Sequence, residues 1–127
     1  MHIDTSARYS KEHLWVRKEG SLFVVGLTHH ALRSLGDIVY IELPRVSHHY
    51  ETGAVWGVIE SAKAAQDLIM PLAGTVITVN EALEKHPEWI GHDCYGMGWI
   101  FQLQGENPEQ FSDLLSPEDY RTFIGEF

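Results

Sequence analysis

The sequence predicts a mainly β protein with few helices. Its short apolar runs are rich in valine, isoleucine and aromatic residues, and each has a length that is usual for a strand. In one run Thr75, Ile77 and Val79 would share one face, which is the two-residue period of a strand with one side buried. Glycines lie between the runs, where turns are expected. The predicted strands are SLFVVGL (21–27), DIVYIEL (37–43), AVWGVI (54–59), TVITVN (75–80) and WIFQLQ (99–104).

Two short helices are predicted between these strands. The first occupies 28–36, where Thr28 is suited to cap the start and Gly36 is suited to end the helix. The second begins within 80–91, with Asn80 as its cap, and it is interrupted before Pro87 because the residue preceding a proline disfavours the helical conformation.

The C-terminal segment, 108–127, has the strongest helical signals. Ser116 is a suitable cap, Pro117 fits the first turn, and the acidic residues that follow favour the helix dipole. An apolar stripe on this helix is expected to dock onto the sheets. The stripe consists of Tyr120, Phe123, Ile124 and Phe127.

A faint internal repeat suggests how the strands are arranged. GDIVYIE from Gly36 resembles GTVITVNE from Gly74, and Trp56 and Trp99 lie at similar places in the two halves. Two similar β-halves would form a flattened sandwich, which buries strand edges, although any two β-strands share this degree of likeness. The 127 residues fit a single domain, 1–127, that is large enough to bury its own core.

Composition excludes several classes of partner. The formal net charge is −9, from 18 acidic and 9 basic residues, and the basic residues form no run, so a nucleic-acid partner is not expected. An acidic surface either suits basic protein partners or simply keeps the protein in solution. Cys94 is the only cysteine, which excludes an internal disulfide. The sequence shows no signal peptide and no membrane span, so a cytoplasmic location is expected.

Lys63 is the residue on which the functional prediction depends. The run AVWGVI leads into ESAKAA, and DLIMP leads out, so Lys63 is predicted at the tip of a hairpin. Its neighbours Ala62, Ala64 and Ala65 leave room for an enzyme to enclose the amine, which is otherwise hydrated and protonated. A rigid hairpin would present the side chain without a further ordering cost. The alternative is an ordinary solvated lysine in an alanine-rich turn.

Four further segments of the sequence are informative together, namely YSKEHLWV (9–16), VGLTHHALRSLGDIVYIELP (25–44), VIESAKAAQDLIMPLAGTVITVNEAL (58–83) and DCYGMGWIFQL (93–103). Through these segments the chain resembles the H protein family of the glycine cleavage system, whose members carry lipoate. The order and spacing of the segments agree over nearly the whole chain. Biotin carriers, the nearest competitor, flank their lysine with methionines, whereas Lys63 has alanines.

The resemblance implies a barrel-sandwich hybrid fold and a covalent lipoate on Lys63. Glu60, Ser61, Ala62 and Ala64 would form the context in which the modifying enzyme recognises the lysine. A lipoate ligase or lipoyl transferase would load it, and glycine decarboxylase, aminomethyltransferase and dihydrolipoyl dehydrogenase would use it. The protein would be a monomeric carrier without catalytic activity of its own.

Two positions depart from the family pattern. Family members usually have a glutamate where this chain has Leu14, and often a histidine where it has Ser34, whereas the acidic Asp67 is retained. The glutamate helps line a cleft that shields the charged aminomethyl arm, and leucine offers neither charge nor hydrogen bond. The departures are either neutral drift or the mark of an H-like paralogue. Such a paralogue serves lipoate relay or redox-stress signalling, with lipoylation and ADP-ribosylation as modifications, rather than glycine breakdown.

The remaining reactive residues favour structural roles. The paired histidines, 29–30 and 48–49, diverge in a helix or strand, and no zinc motif is present, so no metal site is expected. Glu60 and Asp67 could form an acid–base pair, but guidance of partner enzymes is the preferred reading because no nucleophile accompanies them. Cys94 and the four tryptophans are expected to pack in the structure.

Overall fold

Two antiparallel sheets form the protein, as described by a computed structural model for residues 2–126. The strands are β1 (Arg8–Tyr9), β2 (Leu14–Glu19), β3 (Leu22–Leu27), β4 (Ile38–Ile41), β5 (His49–Tyr50), β6 (Val55–Ser61), β7 (Ala65–Ile69), β8 (Gly74–Val79) and β9 (Phe101–Gly105). The helices are α1 (His29–Leu35), α2 (Ala82–Lys85), α3 (Trp89–His92), α4 (Glu109–Ser112) and α5 (Pro117–Phe123). All five predicted strands are present, and the mainly β prediction is confirmed.

The sheets enclose one main core. The larger sheet has the order β1-β2-β3-β9-β8-β5 and the smaller has the order β4-β6-β7, with every neighbouring pair antiparallel. Val25 and Phe101 from the larger sheet are fully buried in the same cluster as Ile59 and Leu68 from the smaller one. Residues of both sheets therefore share a single hydrophobic layer, as in a sandwich.

Helix α1 has the predicted ends. The Thr28 side chain accepts a hydrogen bond from the Ala31 N–H at 3.2 Å, which satisfies one of the free donors of the first turn. Gly36 follows the helix with a φ of 80°, and its N–H donates to the Leu32 carbonyl at 2.9 Å. The positive φ explains why a glycine stands there.

The predicted cap at Asn80 is wrong. Helix α2 begins at Ala82, after Glu81, and the Asn80 side chain instead donates to the carbonyls of Met97 and Trp99 at 2.9 and 2.8 Å. These long-range bonds anchor the segment before β9, so the side chain is not available to the helix. The interruption at Pro87 is confirmed, and α3 follows it as a separate turn of helix.

The C-terminal segment docks through Tyr120 and Ile124 of the predicted apolar stripe. Ser116 caps α5 as predicted, accepting from the Asp119 N–H at 3.1 Å, and Tyr120 is fully buried. Phe123 is 46% exposed, which contradicts its predicted docking role, and its ring lies at the edge of the cluster around Tyr120, with its centroid 6.0 Å from that of His13 and 6.4 Å from that of Tyr120. Ile124 is half-buried, and Phe127 lies outside the described residues.

Tyr120 holds α5 in place through stacking and a polar cluster. Its ring stacks on Tyr9 of β1 with centroids 4.4 Å apart. Its hydroxyl lies 2.8 Å from Thr28 Oγ1 and 2.9 Å from His13 Nδ1. Burial lowers the pKa of His13, and the neighbouring His30 lowers it further, so a neutral imidazole faces the hydroxyl. This cluster joins the C-terminal helix to the start of α1.

The tryptophans contribute to the core, as expected. Trp15 and Trp56 are buried, and Trp89 and Trp99 pack against the core clusters. Trp15 lies directly opposite Gly26 across the β2–β3 pair, and a Cβ on that glycine would come within 2.6 Å of the indole ring. The indole N–H donates to the Cys94 carbonyl at 2.9 Å, while the Arg17 guanidinium lies 4.7 Å from the ring centroid on one face. The ring therefore has little freedom to move.

Gly26→Ala should lower the free energy of unfolding by about 1–3 kcal/mol, because the added methyl group overlaps a fixed indole ring. Urea unfolding followed by tryptophan fluorescence measures this. The matched control is Gly91→Ala in α3, where a Cβ meets nothing within 4 Å, and where helix propensity predicts no loss. Equal stability of the two variants would contradict the packing argument.

Candidate functional site

The hairpin formed by β6 and β7 places Lys63 at its apex. Glu60 pairs with Ala65, and the Ser61 N–H donates to the Ala64 carbonyl at 2.8 Å, so Ala62 and Lys63 alone form the tip. Lys63 and its flanking alanines are exposed. The predicted position of Lys63 at the tip of a hairpin is confirmed.

Ser61 orders the turn from within. Its side chain is only 9% exposed, and its hydroxyl oxygen accepts from the N–H of Ala64 at 3.1 Å and of Lys63 at 3.4 Å. The same hydroxyl donates to the Ala64 carbonyl at 3.3 Å. A serine that bonds the backbone in this way stabilises a turn locally. The backbone under Lys63 is therefore ordered before any partner binds.

The stem of Lys63 lies against the end of α1. Its Cε is 3.4 Å, and its Nζ 3.8 Å, from the place that a Cβ would occupy on Gly36. Gly36 also borders a surface cavity of about 370 Å³ between α1 and α3, which Leu32 and Glu88 help to line. The sequence did not predict the contact between Lys63 and Gly36, because a glycine at this position indicates only the end of a helix.

Glu60 and Asp67 lie on the two strands below the turn. Glu60 is opposite Ala65, and Asp67 is opposite Val58, so the two carboxylates share one face of the hairpin as diagonal neighbours. Such neighbours have Cα atoms about 7–8 Å apart, and no hydrogen bond joins these two carboxylates within the described residues. Both side chains are exposed, and neither forms an ion pair with another residue of the described 2–126. The arrangement suits recognition by a partner more than acid–base catalysis.

The two positions that depart from the family pattern have different surroundings. Leu14 is fully buried in the main core and pairs with Leu27 of β3. Ser34 is exposed on α1, where it borders a cavity of about 350 Å³ with His30 and Ile124. Position 14 of this chain therefore strengthens the core and presents no polar group at the surface.

Other reactive groups lie away from the turn. Cys94 is buried, and burial raises the pKa of its thiol to about 12, so the thiol stays protonated. His49 lies between two exposed carboxylates, with Nδ1 3.8 Å from Glu51 and Nε2 3.5 Å from Glu106. The two carboxylates therefore face different ring nitrogens of one exposed imidazole, away from the turn.

The fold and the turn together define a class of protein, a barrel-sandwich hybrid domain with an exposed lysine at the apex of a β-hairpin. A family model described as glycine cleavage H-protein matches residues 7–127. The chain belongs to this family. No helix within residues 2–126 is long and apolar enough to cross a membrane.

Individual relatives agree with the family match. The glycine cleavage system H protein of Carboxydothermus hydrogenoformans is 43% identical over 124 residues, covering 98% of this chain and 95% of that protein. The one from Xylella fastidiosa strain M12 is 47% identical over 119 residues, covering 93% and 91%. A crystal structure of a glycine cleavage system H protein from Mycobacterium marinum superposes with a TM-score of 0.88 at 32% identity, covering 97% of this chain and 99% of that one. The predicted family and fold class are both confirmed.

Ser61→Ala should loosen the turn, because the Ala64 N–H loses its acceptor. Loss of one hydrogen bond of ordinary strength should make amide exchange at Ala64 about five- to tenfold faster. Hydrogen exchange followed by NMR measures this. Ser21→Ala, at an exposed serine in the β2–β3 turn, is the control and should leave Ala64 unchanged. Unaltered exchange in Ser61→Ala would show that the strands alone order the turn.

Proposed function

We propose that this chain is the lipoyl carrier of a glycine cleavage system, with lipoate joined to Lys63 Nζ through an amide bond. The observation that carries the proposal is an exposed lysine at the apex of an internally bonded hairpin, in a chain of the glycine cleavage H-protein family. The surroundings fit the group, because small alanines and the bare Gly36 leave room around the lysine stem.

The chain's own contribution to the reaction is presentation. A lipoate ligase or lipoyl transferase must enclose the amine and remove its proton, after which Nζ displaces the activating group from the lipoate carboxyl carbon. The Ser61 hydrogen bonds keep the backbone in one conformation, so little entropy is lost when the enzyme closes around Lys63. Ala62 and Ala64 allow close approach on both sides of the lysine.

Lipoate, when bound, would supply the reversible disulfide that carries an aminomethyl group from glycine decarboxylase to aminomethyltransferase, and dihydrolipoyl dehydrogenase would reoxidise the dithiol that remains. The protein presents the lipoyl group on a tether, which holds it at roughly millimolar effective concentration near a docked enzyme. Glu60 and Asp67, exposed on one face of the hairpin, orient the enzymes through their charge. In this role the protein is a single-domain, monomeric cytoplasmic carrier that leaves every bond-making step to its partners.

A second candidate follows from Leu14. Leucine has no carboxylate to offer a charged arm, unlike the glutamate usual in the family. The Leu14 side chain is instead buried in the core. This observation favours an H-like paralogue that receives and relays lipoate, or serves redox-stress signalling, without glycine breakdown. The carrier lysine is the same in both candidates.

Incubation with a lipoate ligase, lipoate and ATP should add one lipoyl group to the chain, as measured by intact-mass spectrometry. Lys63→Arg should abolish the increment, because arginine keeps the charge but cannot form the amide. Lys85→Arg, an exposed lysine on α2, is the matched control and should be modified fully. A lipoyl increment that survives Lys63→Arg would refute the site.

Lipoylated protein should support glycine decarboxylation when it is combined with the three partner enzymes, and the unmodified protein should not. Release of labelled carbon dioxide from carboxyl-labelled glycine measures this. A curated relative such as the Xylella protein, lipoylated in the same way, serves as the positive control. Lipoyl transfer to another acceptor domain without glycine turnover would favour the paralogue instead.

A further inference from the structure

A β-bulge turns two large apolar side chains into solvent beside the carrier lysine. In β4, Ile38 pairs with Ser61 and Tyr40 pairs with Glu60, so Val39 is an extra residue with no partner of its own. A bulge of this kind breaks the alternation of inward and outward side chains. Val39 is 58% exposed and Tyr40 is 49% exposed as a result. We call these two residues the Val39–Tyr40 surface.

The Val39–Tyr40 surface lies at the edge of the smaller sheet and close to the turn. Strand β4 pairs only with β6 among the described strands, so its other edge has no strand beside it. Glu60, the partner of Tyr40, precedes Lys63 by three residues, which corresponds to about 10 Å of strand. An enzyme that encloses Lys63 therefore reaches this surface.

An acidic groove continues from Tyr40 between β4 and α2. It has a volume of about 380 Å³, and no lysine or arginine lines it. Its carboxylates belong to Glu42, Glu81 and Glu84, all exposed and none paired with a basic side chain within the described 2–126. The Glu42 N–H bonds the Val58 carbonyl, which places this residue about 17 Å along the strand from Lys63.

We propose that the Val39–Tyr40 surface and the acidic groove dock a basic face of the enzyme that attaches the acyl group to Lys63. This inference rests on the proposed function. Exposed apolar residues next to a modification site, including a tyrosine, are typical of the centre of an interface, and unpaired carboxylates attract a basic partner. A standard interface covers about 800 Å² per partner, a disc of about 16 Å radius, which is large enough to include Lys63 and the groove.

The apolar part is tested with Val39→Ser combined with Tyr40→Ser. We expect kcat/KM for lipoylation by a lipoate ligase to fall about tenfold, through a higher KM for the carrier at little-changed kcat. Val55→Ser is the matched control, since Val55 is 52% exposed in the same sheet but lies at the far end of β6 from the turn. Val55→Ser should behave as wild type, and equal unfolding midpoints establish that all three proteins are folded.

The acidic part is tested with Glu42→Gln combined with Glu84→Gln. We expect lipoylation at low ionic strength to slow about three- to tenfold, and the difference to vanish at high salt because the attraction is then screened. Glu12→Gln combined with Glu109→Gln removes the same charge from two other segments and should retain the rate and salt dependence of wild type.

Three results would overturn the inference. If the Val39–Tyr40 variant is lipoylated as fast as Val55→Ser, the surface has no docking role. If wild type forms a dimer in sedimentation that Val39→Ser and Tyr40→Ser abolish, the surface belongs to self-association. If wild type gains no lipoyl group at all, the proposed function itself fails and this inference fails with it.

Discussion

The register between β6 and β7 is the constraint on which the rest of the site depends. Ile59 of β6 and Leu68 of β7 are buried, and both pack in the core that the hairpin shares with the larger sheet. A slip of one residue would turn Ile59 toward solvent, because side chains alternate along a strand. The buried pattern therefore determines which residues reach the apex, and these are Ala62 and Lys63.

Distant parts of the chain surround that apex. The end of α1 supplies Gly36 beneath the lysine stem, and the edge of β4 supplies the exposed Val39 and Tyr40 beside it. The hairpin is thus supported on one side and bordered by an apolar surface on another. This arrangement suits a side chain that other enzymes must find, enclose and release.

The charge distribution agrees with a protein that serves as a substrate. The formal net charge is −9, and the carboxylates near the turn and in the groove beside β4 are exposed and unpaired among the described residues. The single thiol is buried and protonated, and no hydrogen bond joins the two carboxylates that flank Lys63 within the described residues. Under the proposed function, the reactive chemistry belongs to the attached group and to the partners.

The sequence alone determined five of the nine strands within residues 2–126, the ends of α1 and the place of Lys63, because these depend on residues only a few positions apart. The caps at Thr28 and Gly36 are local signals of this kind. The predicted alternation of 75–80 is wrong beyond Val76, because a bulge between Val76 and Thr78 leaves Ile77 39% exposed. Only the tertiary structure decided what Asn80 bonds, how far α5 docks and which neighbours surround Lys63. The Asn80 amide donates to carbonyls 17 and 19 residues away in the sequence. The Lys63 side chain contacts Gly36, which lies at the end of α1. Such contacts form between segments that are distant in the sequence and that the common core brings together. They cannot be predicted from the local pattern of either segment.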